Sequence, residues 1–377
     1  MPLVLKLAAR NLLYDKLRLA ATVVGIVFSI LLVTVQLGLF VSFERTVTVM
    51  IDHTSADLWI VPLGTKCFED SSLLEEGDRY RALSVEGVAE VLPILVSFAQ
   101  WRMPDGSTTP VLVIGSDLHA NALRPWNLVE GSLDALSIPD SVAIDRSYAA
   151  RLGVKGIGDA VEIRDRKAEI FALTTGIRSF TTTPYVFTPL ERARGYTATP
   201  GNKITYLVVR LGRGADLERV RSQLRSLLSK AEVLTSTEFG RRSRSFWLFG
   251  TGAGTALFAG VLLAMIVGSV VVAQTLYAST KEHLYEFATL RAIGSSGLYL
   301  QTVIVTQALL SAVAGFSIAI LIGLLVVQLT SESALPVVMT PRLTGVLFLL
   351  ALVMCVISAL GSIVKVLRMD PAVVFSR

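Results

Sequence analysis

Four apolar runs, residues 19–44, 246–278, 298–329 and 343–366, decide what this chain can become. Each exceeds the ~20 apolar residues that an α-helix needs to cross a bilayer. Hydrocarbon offers no partner to a backbone N–H or C=O, so each run is expected as one transmembrane helix. The fold class is then an α-helical membrane protein with a one-plus-three arrangement of spans and a large α+β domain between the first and second. The bulk composition agrees, with 52% hydrophobic and only 17% charged residues, whereas soluble domains carry about 25% charged residues.

Charge sets the topology. Residues 1–18 form an amphipathic helix pattern carrying Lys6, Arg10, Lys16 and Arg18 against Asp15, and the tail 367–377 is also basic. By the positive-inside rule both ends are cytoplasmic. The core domain 45–245 is then extracytoplasmic, residues 279–297 are cytoplasmic and the short loop 330–342 is outside. Arg241, Arg242 and Arg244 precede the second run on the outer side and violate the rule locally. A net charge of +5 with no basic patch interleaved with aromatics gives no reason to expect nucleic-acid binding.

Within 45–245 the β-branched content and turn residues predict strands at 56–61, 88–101, 111–115, 160–163, 169–174 and 203–211, with a short one at 232–236. Helices are expected at 73–81, 146–152 and 216–231, and residues 103–200 read as an inserted β-rich subdomain. Gly250 and Gly254 form a G-x-x-x-G pattern expected to pack helices closely in the second span, and Gly315, Ala319 and Gly323 form a second small-residue stripe. Cys67 and Cys355 are expected to be unpaired, with Cys67 open to an impermeant thiol reagent. The three histidines are scattered, and no cofactor or metal spacing exists.

The segment 279–297 is far longer than a turn between two spans requires. Ser279 and Glu282 have capping-box spacing, which predicts a helix beginning there, and Gly294 is a suitable stop. Such a helix would offer Glu282, Glu286, Phe287, Leu290 and Arg291 to a soluble partner. No hydrolase or nucleotide-binding motif exists in the chain, and no G-x-x-x-x-G-K-[ST]. The chain is therefore read as a non-enzyme driven by another protein. Gln36, Phe40, Phe43 and Trp247 mark the outer ends of the first two runs, as contacts for a cargo or a second copy; dimer packing is the plainer reading of the four, and an interhelical hydrogen bond that of Gln36.

These residues carry a resemblance. The sequence E-F-A-T-L-R-A-I-G at Glu286–Gly294 resembles the coupling region of MacB/FtsX-type ABC transporter permeases. Leu7–Arg18 is similar to that family's leading helix, and Asp370-Pro371-Ala372 to its closing segment. Ser141–Asp145, Leu152–Val154 and Gly158-Asp159 resemble its periplasmic core. Phe98–Trp101 and Val113–Ser116 resemble the DevC-like branch. The resemblance implies a permease subunit of an exporter in a bacterial inner membrane. It further implies a separate ATPase subunit, a second permease copy, a periplasmic adaptor and an outer-membrane channel. It leaves two other roles open: control of an extracytoplasmic enzyme in the manner of FtsX, or extraction of a lipoprotein or haem.

Overall fold

The computed structural model describes residues 2–14, 16–118, 120, 122–181, 183–282, 289–290, 293–331, 333 and 335–367. It divides into a helical unit, Met1–Ser42 with Thr255–Ser331 and Pro336–Arg377, and a sheet unit, Phe43–Gly254 with Glu332–Leu335.

In the helical unit α1 (Pro2–Tyr14) precedes α2 (Lys16–Thr46). Apolar residues on every face of α2 suit burial in lipid and neighbouring helices. Among the described residues, four helices are long and apolar enough to span a membrane: Leu19–Thr46, Ala253–Thr275, Gly297–Leu329 and Pro341–Ala359. They pack through small residues, as helices in lipid must, because lipid leaves them little hydrophobic drive to associate. A β-carbon on Gly315 would stand 2.4 Å from Ile26 Cγ2, and one on Gly268 would stand 2.9 Å from Met354 Cε. The expected stripe of Gly315, Ala319 and Gly323 is buried. Leu321, Leu324, Leu325 and Leu329 on the same helix are exposed and suit lipid.

In the sheet unit short α3 (Val49–Asp52) leads to β1 (Leu58–Pro62), β2 (Leu74–Glu75) and α4 (Asp78–Leu83). The helix expected over 73–81 is thus replaced by a strand and a later helix. Glu75 and Leu74 pair with the short β10 (Lys203–Ile204), and that ladder takes the first residues out of the helix. Next come β3 (Val88–Arg102), β4 (Thr108–Ser116), β5 (Leu128–Gly131) and β6 (Ser141–Asp145). After α5 (Ala149–Leu152) stand β7 (Ala160–Ile163), β8 (Arg166–Thr174) and β9 (Tyr185–Pro189). Then α6 (Leu190–Thr197), β11 (Tyr206–Leu211), α7 (Leu217–Leu227), β12 (Ala231–Thr235) and α8 (Ser236–Ser245) complete the unit.

The strand order is β12-β1-β11-β3-β4-β9-β6-β8-β5, and β7 bridges β3 to β8. That bridge closes a ring of pairings, β3-β4-β9-β6-β8-β7, which leaves those six strands with no open edge towards one another. The long strand β3 belongs to both halves. Its first residues, from Val88 to Ile94, pair with β11, and Ile94–Arg102 pair with β4. Alternation does the rest. Leu95, Ala99 and Trp101 join one core with Val113, Ile144 and Ile170, while Leu92, Ile94 and Val96 join another with Trp59, Tyr206 and Phe239. The Asp105-Gly106 turn between β3 and β4 uses Gly106 at φ +84°, with Asp105 Oδ1 accepting from Ser107 N at 2.9 Å.

Strands β6 and β9 have no counterpart among the sequence expectations. Both are almost wholly buried, so their residues do not alternate, and a short continuous apolar run is ambiguous by periodicity.

The helical unit's packing makes a direct test. Gly315→Ala must displace Ile26 and should lower stability by about 1–3 kcal/mol. Gly345→Ala, where nothing lies within 4 Å of the new carbon, should be neutral or gain up to ~1 kcal/mol from helix propensity. Thermal unfolding of the detergent-solubilised chain distinguishes the two.

Candidate functional site

Helix α9 (Ala253–Glu282) carries the second span into the segment 279–297. It runs unbroken past Ser279, so the capping-box expectation at Ser279 is corrected: the backbone there is already helical and has no free N–H groups for a cap to satisfy. Glu282 is the last residue of α9. Glu286, Phe287 and Arg291 lie outside the described residues. The segment ends in a specific helix stop. Ile293 N donates to Thr289 O at 3.1 Å, Ser295 N donates to Leu290 O at 3.0 Å, and Gly294 sits at φ +102°. This is a Schellman closure, and its left-handed position is free of steric cost only for glycine. Ser296 then caps α10 (Gly297–Leu329), its Oγ accepting from Tyr299 N at 3.2 Å.

Leu290 is half-buried against a core that includes Ala8, Leu300, Val303 and Ile304. Ala8 is fully buried and Val4 packs against the same core, whereas Lys6, Arg10 and Tyr14 of α1 are exposed. Thus the first helix and the end of the 279–297 segment share one apolar support, and α1 turns a basic, tyrosine-tipped stripe outward.

The four residues marked at the outer ends divide between the two units. In the helical unit Gln36 lies against α9, its Oε1 3.0 Å from where a β-carbon on Gly260 would stand, and Phe40 meets Phe258 at 6.2 Å between ring centroids. Both contacts are helix to helix. In the sheet unit Phe43 and Trp247 both meet Phe180, at 5.1 Å and 4.4 Å, with rings edge to face. Phe43 is 3% exposed and so is spent inside the chain.

The G-x-x-x-G expectation at Gly250 and Gly254 is corrected as well. Phe246–Gly250 form a π-helical turn, Gly252 takes φ +77°, and α9 begins only at Ala253. The two glycines therefore do not share one helix face. Gly254 instead admits Leu248, whose Cα would stand 2.4 Å from an added β-carbon.

Reading the sequence did not single out Glu69. Its carboxyl is buried. Tyr185 Oη donates to Oε1 at 3.2 Å and Trp247 Nε1 donates to Oε2 at 3.1 Å. Burial raises its pKa, and the hydrogen bonds from Trp247, Tyr185 and Cys67 offset that only in part. Close by, Tyr206 Oη lies 3.1, 3.0 and 2.9 Å from the carbonyl oxygens of Cys67, Phe68 and Asp70, which holds the loop in place. A glutamate in a polar loop carries no sequence signal of burial. Its partners lie 116 and 178 positions away.

A group whose folded pKa is raised binds more protons in the folded than in the unfolded state between the two values. Stability is then present below the ordinary carboxyl value and is lost as pH rises through the folded one. Glu69→Gln removes the titration. Relative to wild type, the variant should gain about 1.4 kcal/mol per pH unit across that window, above pH 4.5, and hold the gain beyond it. Chemical or thermal unfolding at a series of pH values reads the difference.

Cys67 corrects its own expectation. It is 5% exposed, and burial pushes its thiol up to about 12. Thiolate is the reactive form, so an impermeant maleimide should leave Cys67 unmodified in the folded protein. Ser72→Cys, at an exposed position, should label readily under the same conditions.

Comparison with known proteins places this architecture. Residues 19–227 match the MacB-like periplasmic core domain, and residues 258–371 match the FtsX-like permease C-terminal domain. An uncharacterized ABC transporter permease of Mycobacterium tuberculosis is 25% identical over 382 residues, covering 98% of each chain. Another, of Mycobacterium bovis, is 26% identical over 393 residues, again 98% of each. Among solved structures, the periplasmic region of MacB from Actinobacillus actinomycetemcomitans aligns at 14% identity and TM-score 0.38, over 51% of this chain and 94% of that one. The extracellular domain of the noncanonic ABC-type transporter YknZ from Gram-positive bacteria aligns at 16% identity and TM-score 0.36, over 48% and 99%. With a periplasmic-core match over more than half its length and a permease match over most of the rest, the chain belongs to the MacB/FtsX-type ABC transporter permeases, multi-pass proteins of the membrane.

Proposed function

We propose that this permease subunit serves an exporter and passes ATP-driven motion from a separate ATPase, through residues 279–297, to the sheet unit outside. The observation that carries the reading is the continuity of α9. It begins one residue after the break at Gly252 and stays helical to Glu282, within the proposed docking segment. A helix of 30 residues extends about 45 Å at 1.5 Å per residue, so a push at one end reaches the other without an intervening hinge. The Schellman stop at Gly294 and the Ser296 cap would hold the far side of the segment on α10.

On this reading Glu282, Glu286, Phe287, Leu290, Arg291 and Gly294 form or frame the ATPase contact. Leu290 anchors the segment from below, and Gly294 ends it. A second permease copy would complete the pair, and a periplasmic adaptor with an outer-membrane channel would carry cargo onward. Trp247, Gln36 and Phe40 remain candidates for contact with the second copy. The FtsX-like match over residues 258–371 favours a second reading. There the same stroke controls an extracytoplasmic enzyme and moves no cargo.

Exchanging Glu286→Arg or Arg291→Glu should leave the permease inserted but reduce its stimulation of the ATPase at least fivefold, the lower end of ordinary coupling energies. ATP turnover of the reconstituted complex measures this. Stimulation equal to wild type would remove the coupling role of the segment. Export and enzyme control separate in the same preparation, since the first requires cargo accumulation and the second does not.

A further inference from the structure

The three arginines before the second span break the charge rule, and the structure sorts them. Arg242 turns inward. Its guanidinium lies 2.7 Å from Glu232 Oε2 and also donates to Thr65 O at 3.3 Å. That contact fixes the rotation of α8, which buries Phe239, Gly240 and Ser243 on its inner face. Arg241 and Arg244, one turn apart, have no ion pair or hydrogen bond from their side chains among the described residues, and Arg244 is exposed.

Neighbouring features within the sheet unit share this character. Ser243 Oγ donates to Val47 O at 3.2 Å and so ties α8 to the turn that succeeds α2. Arg45, in the last turn of α2, is exposed. Glu44, next to Arg45 in the chain, is half-buried. Of the acids on β12 and α8, Glu232 is matched by Arg242 and Glu238 by Arg221, while Asp52 on α3 is exposed and accepts from Thr48 Oγ1. Lys66 is exposed and lies 5.8 Å from the centroid of the Phe246 ring, and Phe249 is 74% exposed.

Chain order puts these residues next to two spans. Arg45 lies at the end of the span Leu19–Thr46, and Ala253, nine positions after Arg244, begins the next. The sequence therefore places unpaired arginines and an exposed phenylalanine at the outer ends of two spans. Cations with adjoining aromatic side chains are what an anionic bilayer surface attracts.

We propose that Arg45, Arg241 and Arg244, with Phe249 as an apolar anchor, form a binding surface for anionic phospholipid headgroups of the outer leaflet. An arginine fork suits phosphate oxygens; Glu232 and Glu238 are already paired, and the three arginines outnumber the half-buried Glu44 beside Arg45. The surface would hold the base of the sheet unit against the membrane, whatever the ATP stroke moves. An acidic protein partner is the rival occupant.

The test uses the full chain carrying Ser245→Cys with an environment-sensitive dye; both native thiols are buried. The protein is reconstituted in phosphatidylcholine vesicles, and the dye is quenched by spin-labelled phosphatidylglycerol or spin-labelled phosphatidylcholine. Phosphatidylglycerol should quench at a lower mole fraction, with a preference that falls as salt rises. Each arginine should contribute roughly fivefold at low salt. Arg241→Gln with Arg244→Gln should abolish most of the preference, while Arg241→Lys with Arg244→Lys should keep it. Equal quenching by the two lipids in the parent, or an unchanged preference in the double glutamine variant, would overturn the proposal. The cations of α1 lie far along the chain from the dye, so they contribute equally to every variant.

Discussion

In hydrocarbon a backbone N–H has no partner except a C=O of the same chain. This constraint divides the molecule. It makes the spans long and unbroken, and it moves irregularities to their ends. The π-helical turn at Phe246–Gly250 and the left-handed Gly252 both fall just before α9 begins. At that place water or protein can satisfy the backbone groups a break sets free. The same logic puts the Gly294 closure and the Ser296 cap between α9 and α10, outside either span.

The sheet unit meets the matching problem in water, where an open strand edge invites pairing with other chains. Its answer is the bridge of β7 between β3 and β8. The bridge is possible because β3 is long enough to serve two partners in succession. One strand thereby ties the half that carries α7 and α8 to the half that carries α5 and α6. The loop before β2 is held on this frame by Tyr206, and it delivers Glu69 to the indole of Trp247. A buried carboxyl without a cation is costly. Here three hydrogen-bond donors reduce the cost without removing it, which is why its pKa is raised.

Motifs of small residues show how far pattern alone carries. Gly315, Ala319 and Gly323 lie within one long helix, and their spacing correctly implies a buried stripe. Gly250 and Gly254 have the spacing too, yet the chain leaves the helix between them. Spacing is evidence of a shared face only where the helix is continuous. Ser279 failed in the same way, from the other direction. Its capping pattern is real, but α9 had already supplied the preceding turns. Arg241, Arg242 and Arg244 look alike in sequence; only the position of Glu232 on the neighbouring strand distinguishes the one that is paired from the other two.

The sequence by itself determined the number of spans, the place of the large domain between the first and second, and most strands of that domain. These depend on apolar length and on alternation, which are local and additive along the chain. It also carried, through a motif at 286–294, the resemblance to MacB/FtsX-type permeases. Tertiary structure decided the rest: the closed ring of strands, the burial of Glu69, the pairing of Phe43 and Trp247 through Phe180, and which arginine turns inward. Each of these depends on residues that meet across tens to nearly two hundred positions of chain, or on side chains of neighbouring elements. No local pattern records such meetings, because the partner that gives each side chain its role lies on another element.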